Sequence, residues 1–187
     1  IKSDGIAAVR KSSTTNLIEY SEDFSQSVWN KLNCNVTLTS EVSPNGNADS
    51  VYNLTGTSSV LYTSGSTNIE HTISFYIKSN GQGKDKFKLR LGPSTNTSVE
   101  YTATNEWVRY EFTSTPTSSI FGITTTSAPN NEFDLLIWGA QLEDQTQAET
   151  YAKTTGLPVT IDLFTENNYG TMTNMSASDI IEDTPNN

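Results

Sequence analysis

Alternation of apolar and polar residues with a period of two runs through most of this chain, and it constrains the fold more than any other feature. The stretch HTISFYIKS (71–79) sets Ile73, Phe75 and Ile77 against polar neighbours. Four further stretches alternate in this way or form short apolar runs: KFKLRLG (86–92), WVRYEFTS (107–114), SIFGITT (119–125) and FDLLIWGAQLE (133–143). Because successive side chains of a strand point to opposite faces of a sheet, this period predicts half-buried β-strands.

Turn-forming residues separate these stretches, in the segments NGQGKD, GPSTN, ATNE and SAPNNE. An earlier pair of strand-like stretches, NVTLTSEV (35–42) and SVYNLTG (50–56), is split by SPNGNAD. Short strands joined by such turns are typical of antiparallel two-sheet folds, and the sequence indicates one short helix, at 176–183. We therefore predict an all-β fold, an antiparallel jelly-roll β-sandwich with a short irregular C-terminal extension.

The pattern divides the chain into three segments. We expect residues 1–15 to form a lead-in strand or linker and residues 16–155 to form the sandwich. Residues 156–187 are expected to form a C-terminal extension or a linker to a further module, because Asn and acidic residues become more frequent there and the periodicity weakens. The chain does not begin with Met, and we expect it to be a segment of a longer protein.

Acidic residues outnumber basic ones, which gives the 187-residue chain a formal net charge of −10 and a pI of about 4.4. A phosphate backbone would repel such a chain, so we expect no nucleic-acid partner. No apolar run approaches the roughly 20 residues that a membrane helix needs, so we expect no membrane insertion. Cys34 and His71 are the only residues of their kinds, which excludes an internal disulfide and a zinc site built from Cys and His.

Three carboxylates, Glu19, Glu22 and Asp23, stand among aromatic residues in NLIEYSEDFSQSVW (16–29). They could form the acid/base pair of a glycan-cleaving enzyme, which needs two carboxylates roughly 5–10 Å apart. They could instead form a calcium loop, since Ca²⁺ prefers carboxylate and carbonyl oxygens. The third interpretation is a strand and turn whose rings fill a core while Glu19 and Glu22 face water.

Four pieces of the sequence follow one another in order: TNLIEYSEDFSQSVW, SFYIKS, EWVRYEFTST and LLIWGAQLEDQTQAETYAKTTG. Their succession, over about residues 16–155, resembles a jelly-roll module of tailed-bacteriophage virion proteins such as fibres, appendages and decoration proteins. That module is itself similar to the β-sandwich carbohydrate-binding modules attached to glycanases. The resemblance implies that NLI is a first strand and that the following bend seats Phe24 and Trp29 in the sandwich.

The resemblance also implies a function and a location. It indicates a non-catalytic virion module, present in many copies or as a homo-oligomer, that contacts other virion proteins on the particle surface. Host-surface glycans are the candidate ligands, and the alternative is a purely architectural domain without a glycan ligand. No cofactor is implied apart from a candidate structural calcium ion at Glu19, Glu22 and Asp23. The closing strand departs from the relatives' paired Asp residues and carries Trp138-Gly139-Ala140 instead.

The non-core side of the middle strands supplies the candidate sugar contacts. Four side chains are singled out: Tyr76, Lys78, Lys88 and Arg90. Three further tyrosines could join them: Tyr52, Tyr62 and Tyr101. The alternative is a solvated sheet face without a ligand. All three tryptophans lie inside the recurring pieces and are expected in the core: Trp29, Trp107 and Trp138.

Overall fold

The computed structural model describes residues 11–127 and 131–164, so the helix expected at 176–183 and most of the expected extension lie outside it. Within these residues the secondary structure is β only. The ten strands are β1 (Lys11–Asn16), β2 (Asn30–Leu38), β3 (Tyr52–Thr63), β4 (His71–Ser79), β5 (Lys86–Leu91), β6 (Tyr101–Thr102), β7 (Val108–Ser114), β8 (Phe121–Thr124), β9 (Glu132–Glu143) and β10 (Val159–Phe164). In this part of the chain no helix is long and apolar enough to span a membrane.

Eight of the strands form one curled antiparallel sheet, in the order β6-β5-β8-β3-β9-β4-β7, with β2 on the other side of β3. We call β7, β4, β9 and the first half of β3 (52–57) the first layer. The second layer is β6, β5, β8 and the second half of β3 (60–63). The two layers face each other as a sandwich, which confirms the predicted all-β jelly-roll class. Strands β1 and β10 pair separately.

Strand β3 passes from one layer to the other through a corner at residues 56–59. A Cβ on Gly56 would lie 2.3 Å from Oγ of Ser59 and 2.8 Å from the carbonyl oxygen of Asn33, so only glycine fits there. Ser58 and Asn33 adopt positive φ angles of 49° and 54°, and β2 carries a register shift between Leu32 and Cys34. Such bulges bend a strand and let it serve two sheets.

The core lies between the layers and follows the alternation that the sequence predicts. Ile73, Phe75 and Ile77 of β4 are fully buried, and so are the three apolar residues of β5 that face them. Burial of a side chain of this size contributes roughly 1.5–3 kcal/mol. The core side chains with no exposure are Phe24, Leu54, Leu61, Ile73, Phe75, Ile77, Phe87, Leu89, Leu91, Phe121, Ile123, Leu135, Ile137 and Ala140.

The opening segment supplies two of the central rings. Phe24 lies 4.9 Å from Trp29 between ring centroids, and both rings contact Phe75, at 6.4 Å and 6.0 Å. These rings therefore fill the core, as the third interpretation of the segment expects. The expected first strand at NLI is wrong in its position, because β1 ends at Asn16.

The Asn16 side chain fastens the end of β1 to β9 and to the segment that follows it. Its Nδ2 donates to the carbonyl oxygens of Ala140 and Ala152, at 2.9 Å and 2.8 Å. Its Oδ1 accepts from the backbone N–H groups of Ile18 and Leu142, at 3.1 Å and 3.2 Å. After Asn16 the backbone leaves β10 and bonds to β9 through Leu17 N and the carbonyl oxygen of Leu142.

One compact unit runs from Thr14 to Ile161. The other described residues, 11–13 and 162–164, form the outer ends of β1 and β10. The region expected to be an irregular extension therefore begins with an ordered strand, β10.

Candidate functional site

The structure separates the four predicted sugar contacts into two pairs. Tyr76 and Lys78 lie on the outer side of β4, since the residues that alternate with them, such as Ile77, are core. Lys88 and Arg90 lie on the outer side of β5. The two strands belong to opposite layers, so the four side chains do not form one site. We call the outer side of the first layer the covered face and the outer side of the second layer the groove face.

Aromatic rings pack on the covered face. Tyr76 contacts Trp138 and Tyr151 edge-on, at centroid distances of 5.3 Å and 6.2 Å, and Trp138 contacts Tyr151 at 4.8 Å. The guanidinium carbon of Arg109 lies 5.6 Å from the centre of the Tyr76 ring. Tyr76 is therefore held among other side chains, and its ring is already used in packing.

Trp138 is buried, as predicted, and it belongs to a second hydrophobic cluster with Val51 and Leu136, outside the main core. Strand β9 shifts register opposite the segment between Ser74 and Tyr76, and Gly139 there has a φ of 60°. Because Ile137 faces the main core, Trp138 points outward, and the bulge at Gly139 then turns Ala140 to the core. Trp29 lies in the main core as expected, whereas Trp107 is only half-buried and packs against the second cluster.

Two chain segments close over the covered face. Trp107 Nε1 donates to the carbonyl oxygen of Val42 at 2.9 Å, and Trp138 Nε1 donates to Oγ of Ser50 at 3.0 Å. From the closing segment, the carbonyl oxygen of Gln145 accepts from Oγ1 of Thr72 at 2.6 Å. Loop 39–51 and segment 144–154 therefore form hydrogen bonds with polar groups of this face.

All three nitrogens of the Arg109 guanidinium on this face have hydrogen-bond partners within the chain. Its Nε and Nη2 donate to Oγ of Ser74, at 3.2 Å and 2.9 Å, and its Nη1 donates to the carbonyl oxygen of Glu149. Lys78 pairs with Glu41 at 3.2 Å. Both cations of this face are engaged within the molecule.

The opening carboxylates also have partners inside the fold. Asp23 accepts from Ser25, from Gln26 at 2.7 Å and from the Tyr52 hydroxyl at 2.8 Å. Burial acts to raise the pKa of Asp23, but the hydrogen bonds from these three residues outweigh it and lower the pKa to about 2. Asp23 therefore fixes the turn that carries Phe24.

Glu22 is 5% exposed, which corrects the expectation that it faces water. Its carboxylate accepts from the Tyr151 hydroxyl at 3.1 Å and pairs with Lys153 at 2.7 Å. Burial, and secondarily the Glu22 charge, raises the pKa of Tyr151 well above its ordinary value. Glu19 is exposed, as expected, and its carbonyl oxygen accepts from Gly156.

Two of the three carboxylates proposed as calcium ligands have partners within the fold, and Glu19 is exposed. Among the described residues there is no group of three or more His, Cys, Asp or Glu side chains that could hold a metal ion. Calcium binding at Glu19, Glu22 and Asp23 stays a prediction, tested below.

The groove face is different in kind. A groove of about 180 Å³ lies beside β5 and β8. It is lined by two cations, Lys88 and Arg90, and by six hydroxyl-bearing residues: Ser94, Thr97 and residues 124–127 (TTTS). The volume is below the roughly 300–1,000 Å³ of small-molecule pockets, so it suits one part of a long ligand that lies along the surface.

Cross-strand register places these side chains in rows. Lys88 lies opposite Thr124, and Arg90 lies opposite Gly122, which in turn lies opposite Tyr62 of β3. A Cβ on Gly122 would lie 1.9 Å from the carbonyl oxygen of Leu61, so only glycine fits. The row therefore runs from a guanidinium to a phenol with no side chain between them.

Local hydrogen bonds hold the groove in shape. The Nε of Arg90 donates to the carbonyl oxygen of Gly92 at 2.8 Å, which fixes the direction of the guanidinium. Thr124 Oγ1 donates to the carbonyl oxygen of Ser59 at 3.0 Å, and Ser59 N donates to Oγ1 of Thr125 at 3.0 Å. Burial lowers the pKa of Arg90, because it penalises the charged form.

One further ion pair borders the groove. Lys86 Nζ lies 2.8 Å from Glu100, and the hydrogen bond from Lys86 lowers the pKa of Glu100, with smaller contributions from Thr126 and Lys88. Lys88 and Arg90 form no ion pair of their own with a described carboxylate. Since Glu100 balances Lys86, the rim keeps an excess of positive charge.

Of the three additional tyrosines, only Tyr62 lies on the groove face. Tyr52 is a core residue, and Tyr101 packs against Phe87 and Tyr110 at 5.6 Å and 5.0 Å. The hydroxyl-bearing run 124–127 was not among the predicted site residues. Four consecutive Ser or Thr residues at the end of a predicted strand were the only sequence signal for it.

No family model matches the chain. No curated protein matches it either. Solved structures with a similar fold are carbohydrate-binding modules, the class that the sequence resemblance named beside the phage module.

One is the CBM22-1 xylan-binding domain from Paenibacillus barcinonensis, with 15% identity and a TM-score of 0.49 over 69% of this chain and 91% of that one. Another is a family 29 carbohydrate-binding module complexed with mannohexaose, with 12% identity, a TM-score of 0.45, and coverage of 72% and 92%. A third is the CBM6 module of a laminarinase from Zobellia galactanivorans, with 13% identity, a TM-score of 0.42, and coverage of 71% and 99%. At these sequence identities the similarity is one of fold alone.

Proposed function

We propose that this chain is a non-catalytic glycan-binding module that holds its ligand on the groove face. The observation that carries the proposal is the row from Arg90 across Gly122 to Tyr62, beside a groove lined by hydroxyl groups. Sugar recognition uses an aromatic ring under the apolar face of a sugar and hydrogen-bonding groups around its hydroxyls. The row and the groove offer both, on a rigid sheet.

The lining also supports a non-catalytic role. Glycoside cleavage requires a pair of carboxylic groups facing across the scissile bond. The residues that line the groove are Lys, Arg, Ser and Thr, and none of them can serve as such an acid. The carboxylates of the opening segment are engaged elsewhere, in the Asp23 turn and the pair between Glu22 and Lys153.

A panel of polysaccharides tests the proposal, with affinity electrophoresis of the purified chain as the measurement. We expect retardation by at least one polysaccharide, and about tenfold weaker binding after Tyr62→Ala, since interface tyrosines often carry a large share of binding energy. Lys78→Ala on the covered face is the matched control and should bind like the wild type. Absence of retardation across the panel, or equal loss in both variants, would contradict the proposal.

We further propose that the module is present in many copies on a phage virion. This location rests on the resemblance of the four sequence pieces alone. Many weak sites on one particle give strong attachment, because each further contact forms at a high effective concentration. Immuno-electron microscopy with an antibody against the chain, on particles that encode it, tests this. Labelling at a regular position on the particle is expected, and unlabelled particles would exclude the location.

The architectural alternative is favoured by one observation, the free edge of β2. Among the described strands this one pairs only with β3, and two of its side chains, Leu32 and Leu38, are more than half exposed. Edge strands offer unpaired backbone groups to a partner. Sedimentation of the wild type and of Leu38→Lys distinguishes the functions: self-association that the substitution abolishes would favour the architectural role.

A further inference from the structure

We propose that the groove face takes an anionic polysaccharide, one whose sugar rings carry carboxylate or sulfate groups. This inference rests on the proposed glycan-binding function and names the class of glycan. It comes from the charges of the groove, which differ in sign from those of the molecule as a whole.

The chain carries a formal net charge of −10, yet the described residues that line the groove include two cations and no carboxylate. One carboxylate, Glu100, borders the groove and is hydrogen-bonded to the lining residue Thr126. The adjoining pair of Lys86 and Glu100 cancels, so Lys88 and Arg90 remain in excess. An acidic protein that concentrates positive charge in one concave place attracts anions there and repels them elsewhere. A neutral polysaccharide would gain hydrogen bonds from this arrangement but no attraction between opposite charges.

Lys88 and Arg90 differ from most other cations of the described part; Lys31 also has no described carboxylate partner and donates to the carbonyl oxygens of Gln26 and Trp29. Four lysines already pair with carboxylates: Lys78 with Glu41, Lys84 with Glu132, Lys86 with Glu100 and Lys153 with Glu22. Arg109 is held by Ser74 and by the carbonyl oxygen of Glu149. Lys88 and Arg90 form no ion pair with a described carboxylate, although Lys88 lies near enough to Glu100 to help lower its pKa and Arg90 is partly buried.

Arg90 has the geometry that a ligand anion requires. Its single internal hydrogen bond uses Nε, which leaves the two terminal nitrogens for an external acceptor. A guanidinium binds a carboxylate or sulfate through parallel hydrogen bonds, and a fixed one loses less freedom on binding. Burial of this unpaired cation has a cost that an anionic ligand would offset.

The residues beside Arg90 leave room for the sugar ring that carries the acidic group. Gly122 leaves the sheet surface bare between Arg90 and Tyr62. A sugar ring placed over Tyr62 would direct its acidic substituent toward Arg90. Lys88 lies two residues before Arg90 on the same side of β5, where it would meet the next acidic group of a repeating chain.

Matched polysaccharides test the inference, because they differ only in charge. We would measure the affinity of the full chain by calorimetry for polygalacturonate and for its fully methyl-esterified form, and for dextran sulfate and dextran. Binding to at least one charged form should be about tenfold or more tighter than to its neutral partner. The two pairs distinguish carboxylate from sulfate as the recognised group.

Charge-removing variants locate the effect. Arg90→Gln and Lys88→Gln should each weaken binding of the charged form, about tenfold for Arg90 and several-fold for Lys88. Lys78→Gln removes the same charge from the covered face and should leave the affinity unchanged. Thermal unfolding of each variant confirms that the fold is retained, and salt raised from about 0.1 M to about 1 M should weaken binding of the charged form alone.

The outcomes separate this inference from the proposed function. Equal affinity for the charged and neutral forms, with loss in Tyr62→Ala, would overturn the anionic preference and leave the glycan-binding function standing. Equal loss in Lys78→Gln and Arg90→Gln would show non-specific attraction and would also overturn it. Failure to bind any polysaccharide would reject the proposed function and the inference with it.

Discussion

The covered face and the groove face are built on the same sandwich, but their polar groups are in opposite states. On the covered face, Arg109 and Lys78 already have partners, and two chain segments close over the rings. On the groove face, Lys88 and Arg90 form no ion pair with a described carboxylate. The polar side of a strand at the outer surface of a sandwich is therefore not by itself a binding site. It can bind a ligand only where its polar groups have not already formed hydrogen bonds or ion pairs with the rest of the chain.

The largest expected effect is on stability, from removing one aromatic side chain from each face. Trp138→Ala should lower the free energy of unfolding by about 3–5 kcal/mol, because the buried indole leaves a cavity and Ser50 loses its hydrogen-bond donor. Tyr62→Ala should cost about 1 kcal/mol, since its side chain is only half-buried. Urea unfolding measures both values. Equal costs would mean that the two faces do not differ as described.

Removing one cation from each face should give opposite patterns. Arg109→Met should cost about 2 kcal/mol of stability, because it leaves Ser74 and the Glu149 carbonyl without their charged donor. Arg90→Gln should cost about 0.5 kcal/mol and should affect ligand affinity instead. Denaturant unfolding and calorimetric binding, performed on both variants, form the test. A large loss of stability in Arg90→Gln would assign that residue a structural role.

Acid should weaken the turn at Asp23, which carries Phe24 into the core. The folded-state pKa of Asp23 is about 2, below its ordinary 3.8, so its contribution to stability is present above pH 3.8 and is lost as the pH falls through 2. Allowing for solvent screening, we expect about 1–2 kcal/mol from this carboxylate. Asp23→Asn should therefore be less stable than the wild type near neutral pH, and the difference should shrink toward pH 2. A difference that stays constant with pH would contradict this role for Asp23.

The smallest expected effect concerns calcium. Since Glu22 and Asp23 are engaged with Lys153, Tyr151 and other side chains, calcium at millimolar excess should shift the melting temperature by no more than about 1 °C relative to chelator. Differential scanning fluorimetry measures the shift. A rise of several degrees that Glu22→Gln removes would restore the opening carboxylates as calcium ligands.

The sequence predicted the sandwich well because its alternation is a local property. Ile73, Phe75 and Ile77 of β4 face the core as expected, and so do the alternating apolar residues of β5. The alternation did not show the bulge at Gly139, which brings Ala140 and Leu142, rather than Gln141, to the core side of β9. A pattern with period two cannot reveal where one extra residue enters it.

The two faces could not be told apart from the sequence. Tyr76 and Arg90 each alternate with apolar residues along their own strand, so the sequence assigns both to the outer side of the sandwich. Only the tertiary structure shows that one of these outer sides is covered. The segment that covers Tyr76, residues 144–154, has no strand periodicity and gave no sign of where it would lie. Burial of Glu22 depends on Tyr151 and Lys153, more than 125 residues away in sequence, which local patterns cannot reveal.

The most direct test of the groove face as the binding site is an NMR titration of the isotope-labelled chain with trigalacturonate and with its methyl ester. We predict amide shift changes centred on Lys88, Arg90, Thr124 and Tyr62, larger with the charged trisaccharide, while Tyr76 and Trp107 remain unchanged. Changes centred on Tyr76 and Trp107 instead would place the site on the covered face and would contradict the comparison between the two faces.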